Sequence, residues 1–314
     1  MIYPKSPGSQ RHVSCLASKS CDPLQAISPL ENGRIAAMPT RSPQENLYIQ
    51  RINTVIDHVR ENLNEDLSNE MVVRLRLERA VALLRSTPEL SITDAAFACG
   101  FKSVSVFSRL FKKQYGLNAR QWDRQSPLKN SKNGQVMEGF PHYTLENLSG
   151  FAEQDEFDVH IRSLPEQRLV YIRVYDSYSK FSKVTEAYYR LIEWYCQKGG
   201  SLDQTTLYGM SQDNPDVTPL RLCRFDWCLT VPADWHGEGE VNTVNFPACR
   251  VATICCIGDI MQEDKALQYL FRYWLPRSRY QPANLPGMEI YRRQPVELGW
   301  ETFDIDCAVP VVEL

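Results

Sequence analysis

The stretch SITDAAFACGFKSVSVFSRLFKKQYGLNARQWDR, residues 91–124, decides the N-terminal fold. Ser91 and Asp94 form an S-x-x-D capping box, which predicts the start of a helix. Gly100 supplies the backbone freedom that a tight turn between two helices needs. Ser103 is the expected N-cap of the second helix. The stretch therefore predicts two short helices joined by a glycine turn.

The second of these helices has two contrasting faces. Its apolar residues recur at steps of three and four, which predicts one buried stripe of Phe107, Leu110, Phe111 and Tyr115. On the opposite face, small residues let the backbone approach DNA base edges and cations meet phosphates. A solvated helical hairpin is the alternative, since charge alone says little. The expected DNA-binding residues are Ser103, Val104, Ser105, Ser108, Arg109, Lys112 and Lys113.

Two longer helices are predicted upstream, at residues 46–64 and 70–86. They carry the strings R-I-N-x-V-I-D-x-V and R-L-R-L-E-R-A-x-x-L-L, and Pro88 ends the second helix. With the run S-I-T-D-A-A-x-x-C-G-F-x-S-x-S-x-F-S-R-x-F-K-K-x-Y-G, these strings resemble the DNA-binding module of the AraC/XylS family of bacterial transcriptional regulators. The resemblance implies binding to a sequence-specific operator.

The chain departs from that family between Ser68 and Asn69. An AraC-type module has two helix-turn-helix units joined by a linker helix, and the first unit is missing here. The gap is roughly thirty residues by the size of one such unit. Fewer phosphate contacts weaken DNA binding by orders of magnitude at physiological salt. We therefore expect operator binding to be weakened.

The composition of the chain argues against several other classes of function. The 314 residues include 43% hydrophobic residues and carry a net charge of −3. No apolar run is long enough for a membrane span, and no signal peptide is evident, so a cytoplasmic protein without a membrane partner is expected. The ten cysteines and five histidines are scattered, which favours reduced thiols and neither a metal site nor a cofactor. Residues 51–124 carry +3 and residues 151–314 carry −8.

That asymmetry suits a DNA-binding module joined to a domain of another kind. We divide the chain into four parts. Residues 1–45 are predicted to be disordered, with Met38 as an alternative start, and residues 125–157 to be a linker. Residues 46–124 are the truncated helix-turn-helix domain, and residues 158–314 are a second domain.

The second domain contains an internal repeat. The first unit predicts a helix at 180–198 and strands near 159–164, 168–175, 206–211 and 222–231. The second predicts a helix at 262–275 and strands near 241–246, 249–257, 287–292 and 303–312. The predicted fold class is an all-α helix-turn-helix domain plus an α+β domain of two tandem ββαββ-like units. Pseudo-two-fold symmetry places the helices on one face of the sheet, with a groove between the units.

This arrangement resembles the GyrI-like effector domain. The residues that carry the resemblance are Trp274-Leu275-Pro276, Ser278, Tyr280, Gly287-Met288-Glu289-Ile290-Tyr291 and Phe303-Asp304-Ile305-Asp306 through Val309-Pro310. The family binds lipophilic cations beside a strand glutamate ringed by aromatic side chains. The motif match assigns the glutamate's role to Glu289. The residues expected to line the ligand site around it are Trp227, Trp274, Tyr208 and Tyr291.

The predicted function is a DNA-binding regulator whose second domain binds a small cationic effector. RNA polymerase is a further expected partner. The chain lacks the nucleophile and phosphate-loop motifs of common enzymes, so we expect no catalysis. The alternatives are a small-molecule hydrolase that uses Glu289 as general base, or a protein-binding decoy with a vestigial DNA-binding module.

Overall fold

The computed structural model describes residues 42–61, 70–124, 157–178 and 181–314. The predicted disordered extension, residues 1–45, and the predicted linker, residues 125–157, lie outside the described residues except for 42–45 and 157, and residues 43–45 are helical. None of the described helices has the length and hydropathy that spanning a bilayer requires.

Four helices form the N-terminal module: α1 (Pro43–Glu61), α2 (Glu70–Ser86), α3 (Ile92–Ala98) and α4 (Val104–Tyr115). Helix α1 begins three residues before the predicted start. Ser42 and Glu45 exchange hydrogen bonds there as a capping box, with distances of 2.8 and 3.2 Å, and Pro43 occupies the first helical position. Only residues 62–69 connect α1 to α2, too few for another helix-turn-helix unit.

Helices α3 and α4 form the predicted helix-turn-helix. The Ser91 hydroxyl accepts the Asp94 N–H at 3.0 Å, which confirms the predicted cap. Gly100 lies in the left-handed region with φ 77°, as the turn requires. Ser103 occupies the N-cap position, although its side chain makes no capping hydrogen bond. The core of the unit is aromatic, and its buried members include Phe101, Phe107, Phe111, Tyr115 and Trp122.

Helix α2 is buried on nearly every side. One side packs into the helix-turn-helix core through residues such as Leu77, Val81 and Leu84. The other side faces the second domain, whose Val217 joins the same core. Of the four arginines of α2, Arg85 is buried, at 4% exposure, and Arg74, Arg76 and Arg79 are partly buried. The two domains share one continuous interior along α2.

The second domain is an antiparallel sheet with helices on it. Its helices are α5 (Phe181–Gln197) and α6 (Ile260–Gln268), and α6 continues into a π-helical segment, Tyr269–Trp274. Its strands are β1 (His160–Leu164), β2 (Gln167–Tyr175), β3 (Leu207–Ser211), β4 (Arg224–Thr230), β5 (Asn242–Phe246), β6 (Cys249–Gly258), β7 (Tyr280–Pro282), β8 (Gly287–Tyr291) and β9 (Phe303–Glu313).

The strand order is β1-β6-β9-β8-β3-β4-β2-β5, and β7 pairs with β9. This order confirms the predicted repeat, because β3-β4-β2 mirrors β8-β9-β6 about the β3–β8 seam. The first strand of each unit crosses over: β1 pairs with β6 of the second unit, and β5 pairs with β2 of the first. Exchange of these strands ties the two units together, a feature that the sequence did not predict.

A buried ion pair fixes α1 on this sheet. The Arg173 guanidinium on β2 donates two hydrogen bonds to Asp226 on β4, at 2.8 and 2.7 Å, and one to Asp57 on α1, at 2.9 Å. Tyr175 adds a 2.6 Å hydrogen bond to Asn53 of α1. Burial raises the pKa of the Asp226 carboxyl, and the Arg173 charge opposes that shift.

Removing the cation from this network should destabilise the protein. Arg173→Met leaves the buried Asp226 carboxylate unpaired, which costs about 3–5 kcal/mol of unfolding free energy. The matched control is Arg293→Met, whose pair with Glu297 is exposed and is expected to contribute less than about 1 kcal/mol. Urea unfolding of both variants measures the difference. Equal destabilisation would show that the buried network does not anchor the fold.

Candidate ligand cavity and DNA-binding helix

A cavity of about 320 Å³ lies at the β3–β8 seam, beneath α5 and α6. The predicted groove between the two units is therefore present. The cavity also extends past the strand ends to α2 of the helix-turn-helix module. The lining residues from α2 are Leu75, Glu78, Arg79, Ala82, Leu83 and Arg85.

Strand register sets the centre of the cavity. Gly209 on β3 lies opposite Trp227 on β4 and opposite Glu289 on β8. A Cβ atom at Gly209 would lie 2.6 Å from Glu289 Oε2 and 2.6 Å from Phe225 Cζ. The missing side chain therefore makes the room that the Glu289 carboxylate occupies. A glycine inside the strand string L-Y-G-M-S is the sequence signal for such a close approach.

Glu289 belongs to a hydrogen-bonded acid cluster. The Tyr291 hydroxyl donates to Glu289 Oε2 at 2.5 Å. Glu263 of α6, 8% exposed, hydrogen-bonds the same carboxylate. Burial raises the pKa of Glu263 well above its usual range, and the neighbouring Glu289 charge raises it further. Burial also raises the pKa of Glu289, while the bonds from Tyr291 and Glu263 oppose that shift. The hydrogen bond between the two groups raises the pKa of Glu263 and lowers that of Glu289, as expected when Glu263 donates to Glu289.

Aromatic rings surround this acid cluster. Trp227 contacts Tyr291 and Phe225 at centroid distances of 5.3 and 5.1 Å. Trp300 lies edge-on to Phe181 at 5.8 Å. The aromatic residues that line the cavity are Tyr178, Phe181, Phe225, Trp227, Phe271, Tyr291, Trp300 and Phe303. Ring faces and a carboxylate together attract an organic cation.

Two expected wall residues lie elsewhere. Tyr208 precedes Gly209, so its side chain points to the opposite face of the sheet, where its hydroxyl donates to Gln167 at 2.9 Å. Trp274 closes the π-helical segment and stacks on Tyr280 with ring centroids 5.8 Å apart. Of the five residues expected at the ligand site, the structure brings together Glu289, Trp227 and Tyr291 around the cavity.

The end of the cavity at α2 is held by ion pairs between the domains. Asp213, after β3, accepts two hydrogen bonds from the Arg224 guanidinium and one from Arg74 of α2, at 3.1 Å. Arg85 of α2 pairs with Asp216 at 3.3 Å. The loop that follows β3 therefore contacts both the cavity and the DNA-binding module.

The expected DNA-binding face of α4 is accessible. Ser105, Arg109, Lys112 and Lys113 are exposed, and Ser103, Val104 and Ser108 are partly exposed. The buried stripe of the same helix packs inward, so the two faces separate as the sequence predicts. Gly116, with φ 80°, ends the helix.

Sequence reasoning missed several residues at the cavity. Gly209 had a local signal, but Glu263 had none, because an acidic residue near a helix N-terminus usually faces solvent. The α2 residues were missed because their position depends on how the two domains dock. Among the residues that the structure describes, no group of three or more His, Cys, Asp and Glu side chains is placed to hold a metal ion.

Fold and cavity together define a helix-turn-helix module joined to an α+β domain with an internal ligand-sized cavity. Family models agree with this description. Residues 157–312 match the GyrI-like small molecule binding domain, and residues 56–125 match a helix-turn-helix domain of the AraC type. The chain thus belongs to the AraC-type helix-turn-helix proteins that are fused to a GyrI-like domain.

Individual relatives cover parts of the chain. The HTH-type transcriptional regulator CdhR of Pseudomonas aeruginosa is 37% identical over 65 residues, which are 21% of this chain and 19% of that protein. The match thus spans about a fifth of the curated relative.

Two solved structures are similar to about half of the chain. EcmrR in its DNA complex has a TM-score of 0.41 and 16% identity, and the match covers 50% of this chain and 58% of EcmrR. A hydrolase from Listeria innocua has a TM-score of 0.33 and 13% identity, and the match covers 51% of this chain and 94% of that protein. At these TM-scores neither likeness supports an argument about function.

Because the pKa of Glu263 is raised in the folded protein, the free energy of unfolding depends on pH. A carboxyl group whose folded-state pKa is raised stabilises the fold below its unfolded pKa, and that stabilisation is lost as pH rises through the folded value. Glu263→Gln should therefore gain stability relative to wild type as pH rises from about 5 to about 8. Urea unfolding at both pH values measures the gain. The exposed control Glu297→Gln should show none, and a pH-independent Glu263→Gln difference would contradict the assignment.

Proposed function

We propose that this chain is a transcriptional regulator that binds DNA through α4 and is controlled by a small organic cation in the cavity. The observation that carries the proposal is that α2 belongs to both sites: it packs under the helix-turn-helix and lines the cavity. A ligand in the cavity therefore contacts the DNA-binding module directly. A hydrolase or a decoy does not require that shared wall.

The DNA-binding half of the proposal rests on α4 alone. With one helix-turn-helix unit, the module reaches one major-groove segment and few phosphates. We therefore expect a monomer to bind weakly and with a strong dependence on salt. Arg109 is central among the exposed cations of the helix and lies on the face opposite Phe107 and Phe111.

Arg109 should carry much of the specific affinity. DNA fragments that wild-type protein selects from a random pool at low salt provide the substrate. Arg109→Ala should weaken binding to those fragments by about 1–3 kcal/mol, because a base or nearby phosphate loses its partner. Arg250→Ala on the second domain removes an equally exposed arginine and should leave binding unchanged. Equal binding by wild type and Arg109→Ala would show that α4 does not contact the DNA.

The ligand-binding half of the proposal rests on Glu289 and the surrounding rings. A carboxylate beside aromatic faces in a low-dielectric cavity binds a cation by charge and by cation–π attraction. Among the described residues, no ion pair joins Glu289 or Glu263 to a cationic side chain. The negative charge of the cluster is thus available to a ligand.

Glu289→Gln should remove cation binding while keeping the shape of the cavity. With phenyltrimethylammonium as probe, titration calorimetry on the full chain should show an affinity loss of at least about tenfold, or 1.4 kcal/mol. Glu297→Gln removes an exposed carboxylate and serves as control. If wild type and Glu289→Gln bind the probe equally, the cavity does not recognise charge.

A further inference from the structure

The acid cluster lies on the wall of a cavity that also holds one buried acceptor without a donor. Glu263 hydrogen-bonds Glu289, and the Tyr291 hydroxyl donates to Glu289. Gln268, one turn further along α6, also lines the cavity and is 6% exposed. Its side-chain oxygen has no hydrogen-bond partner. A buried acceptor without a donor is costly, so this oxygen indicates a ligand that brings N–H or O–H groups.

We propose that Glu263, Glu289 and Gln268 recognise a planar cation that carries N–H donors, an amidinium or a guanidinium, and that this cation replaces the proton shared by the two glutamates. The proposal rests on the proposed function of the cavity as a cation site and adds the chemical class of the ligand. A quaternary cation has no N–H groups, so it leaves the shared proton and the Gln268 oxygen as they are.

The geometry favours the planar donor. Two hydrogen-bonded carboxyl groups lie close enough together for one forked cation to donate to both, which is the arrangement that guanidinium and amidinium groups match best. Trp227 and Tyr291 line the same cavity as the carboxylates, with ring centroids 5.3 Å apart, and aromatic surface favours a flat delocalised cation. The cavity volume of about 320 Å³ suits a ligand of one aromatic ring and one such group.

The proposal also predicts a measurable release of a proton when the cation binds. In this proposal the two carboxyl groups hold one proton and one negative charge before the cation binds. An amidinium that donates to both carboxylates releases that proton to the buffer, so cation and proton exchange. The cations that line the same cavity, Arg79 and Arg85, lie on α2, where Arg85 pairs with Asp216. The ionisable side chains next to the pair carry no positive charge: they are Tyr291 on β8, Tyr178 after β2, Asp264 on α6, Cys256 on β6 and Cys307 on β9.

Paired probes test the class of ligand. Benzamidinium and phenyltrimethylammonium have one ring and one positive charge each, and differ in N–H donors. Titration calorimetry on the full chain near pH 7, in two buffers of different ionisation heat, should show benzamidinium bound about tenfold more tightly and with release of up to one proton. Glu263→Gln should abolish the preference and the proton release, while phenyltrimethylammonium binding stays within about twofold.

A second variant keeps the test decisive if Glu263→Gln does not fold. Gln268→Met removes the unpartnered acceptor and should weaken benzamidinium alone by several-fold. Equal affinities for the two probes in wild type, or a preference that survives both substitutions, would overturn the inference. A different result would show that the cavity is not a cation site at all: phenyltrimethylammonium would then bind wild type and Glu289→Gln equally.

Discussion

The structure depends on the burial of one helix between two domains. Helix α2 carries arginines that would be surface residues in an isolated helix, and the second domain supplies the acids that pair with them. Arg74 bonds both Glu78 and Asp213, and Arg85 bonds Asp216. Removing one partner leaves a buried charge without compensation, so the domains are costly to separate. The same helix forms one wall of the cavity.

In the proposed function, this shared helix connects the cavity to the DNA-binding helix without a chain of intervening residues. The cavity touches Leu83 and Ala82 of α2, while Leu84 and Val81 of the same helix pack under α4. A ligand that shifts α2 by a fraction of a turn must therefore shift the core below the DNA-binding face. The core between α2 and α4 is closely packed, so it has few voids that could absorb such a shift. No separate signalling pathway is required.

Local features of the fold were predictable from the sequence, and features that depend on docking were not. The caps, the glycine turn and the two faces of α4 depend on residues a few positions apart, so their patterns are visible in the chain. The repeat predicted the sheet and its seam. The exchange of β1 and β5 depends on pairing with strands of the other unit. The burial of α2 depends on pairs such as Arg85 with Asp216, which are 131 residues apart.

The residues of the ligand cavity also fall into those that the sequence predicted and those that it did not. Glu289 was found through its family motif, and Trp227 and Tyr291 through their aromatic character. Tyr208 and Trp274 were expected by the same reasoning but lie outside the cavity, because strand alternation and the π-helical segment direct them elsewhere. Glu263 could not be assigned to the site from the sequence, because its place beside Glu289 depends on the register of β8 and the position of α6. A site that combines residues of two distant segments, such as Glu263 and Glu289, cannot be predicted from the pattern of either segment alone.

We expect the cavity and the DNA-binding face to be energetically linked through α2. Linkage is reciprocal, so the factor by which a ligand changes DNA affinity must equal the factor by which DNA changes ligand affinity. The direct measurement is titration of benzamidinium into the full chain, free and saturated with selected DNA. We expect bound DNA to change the dissociation constant of benzamidinium by roughly fivefold or more, in either direction. Identical dissociation constants with and without DNA would contradict it.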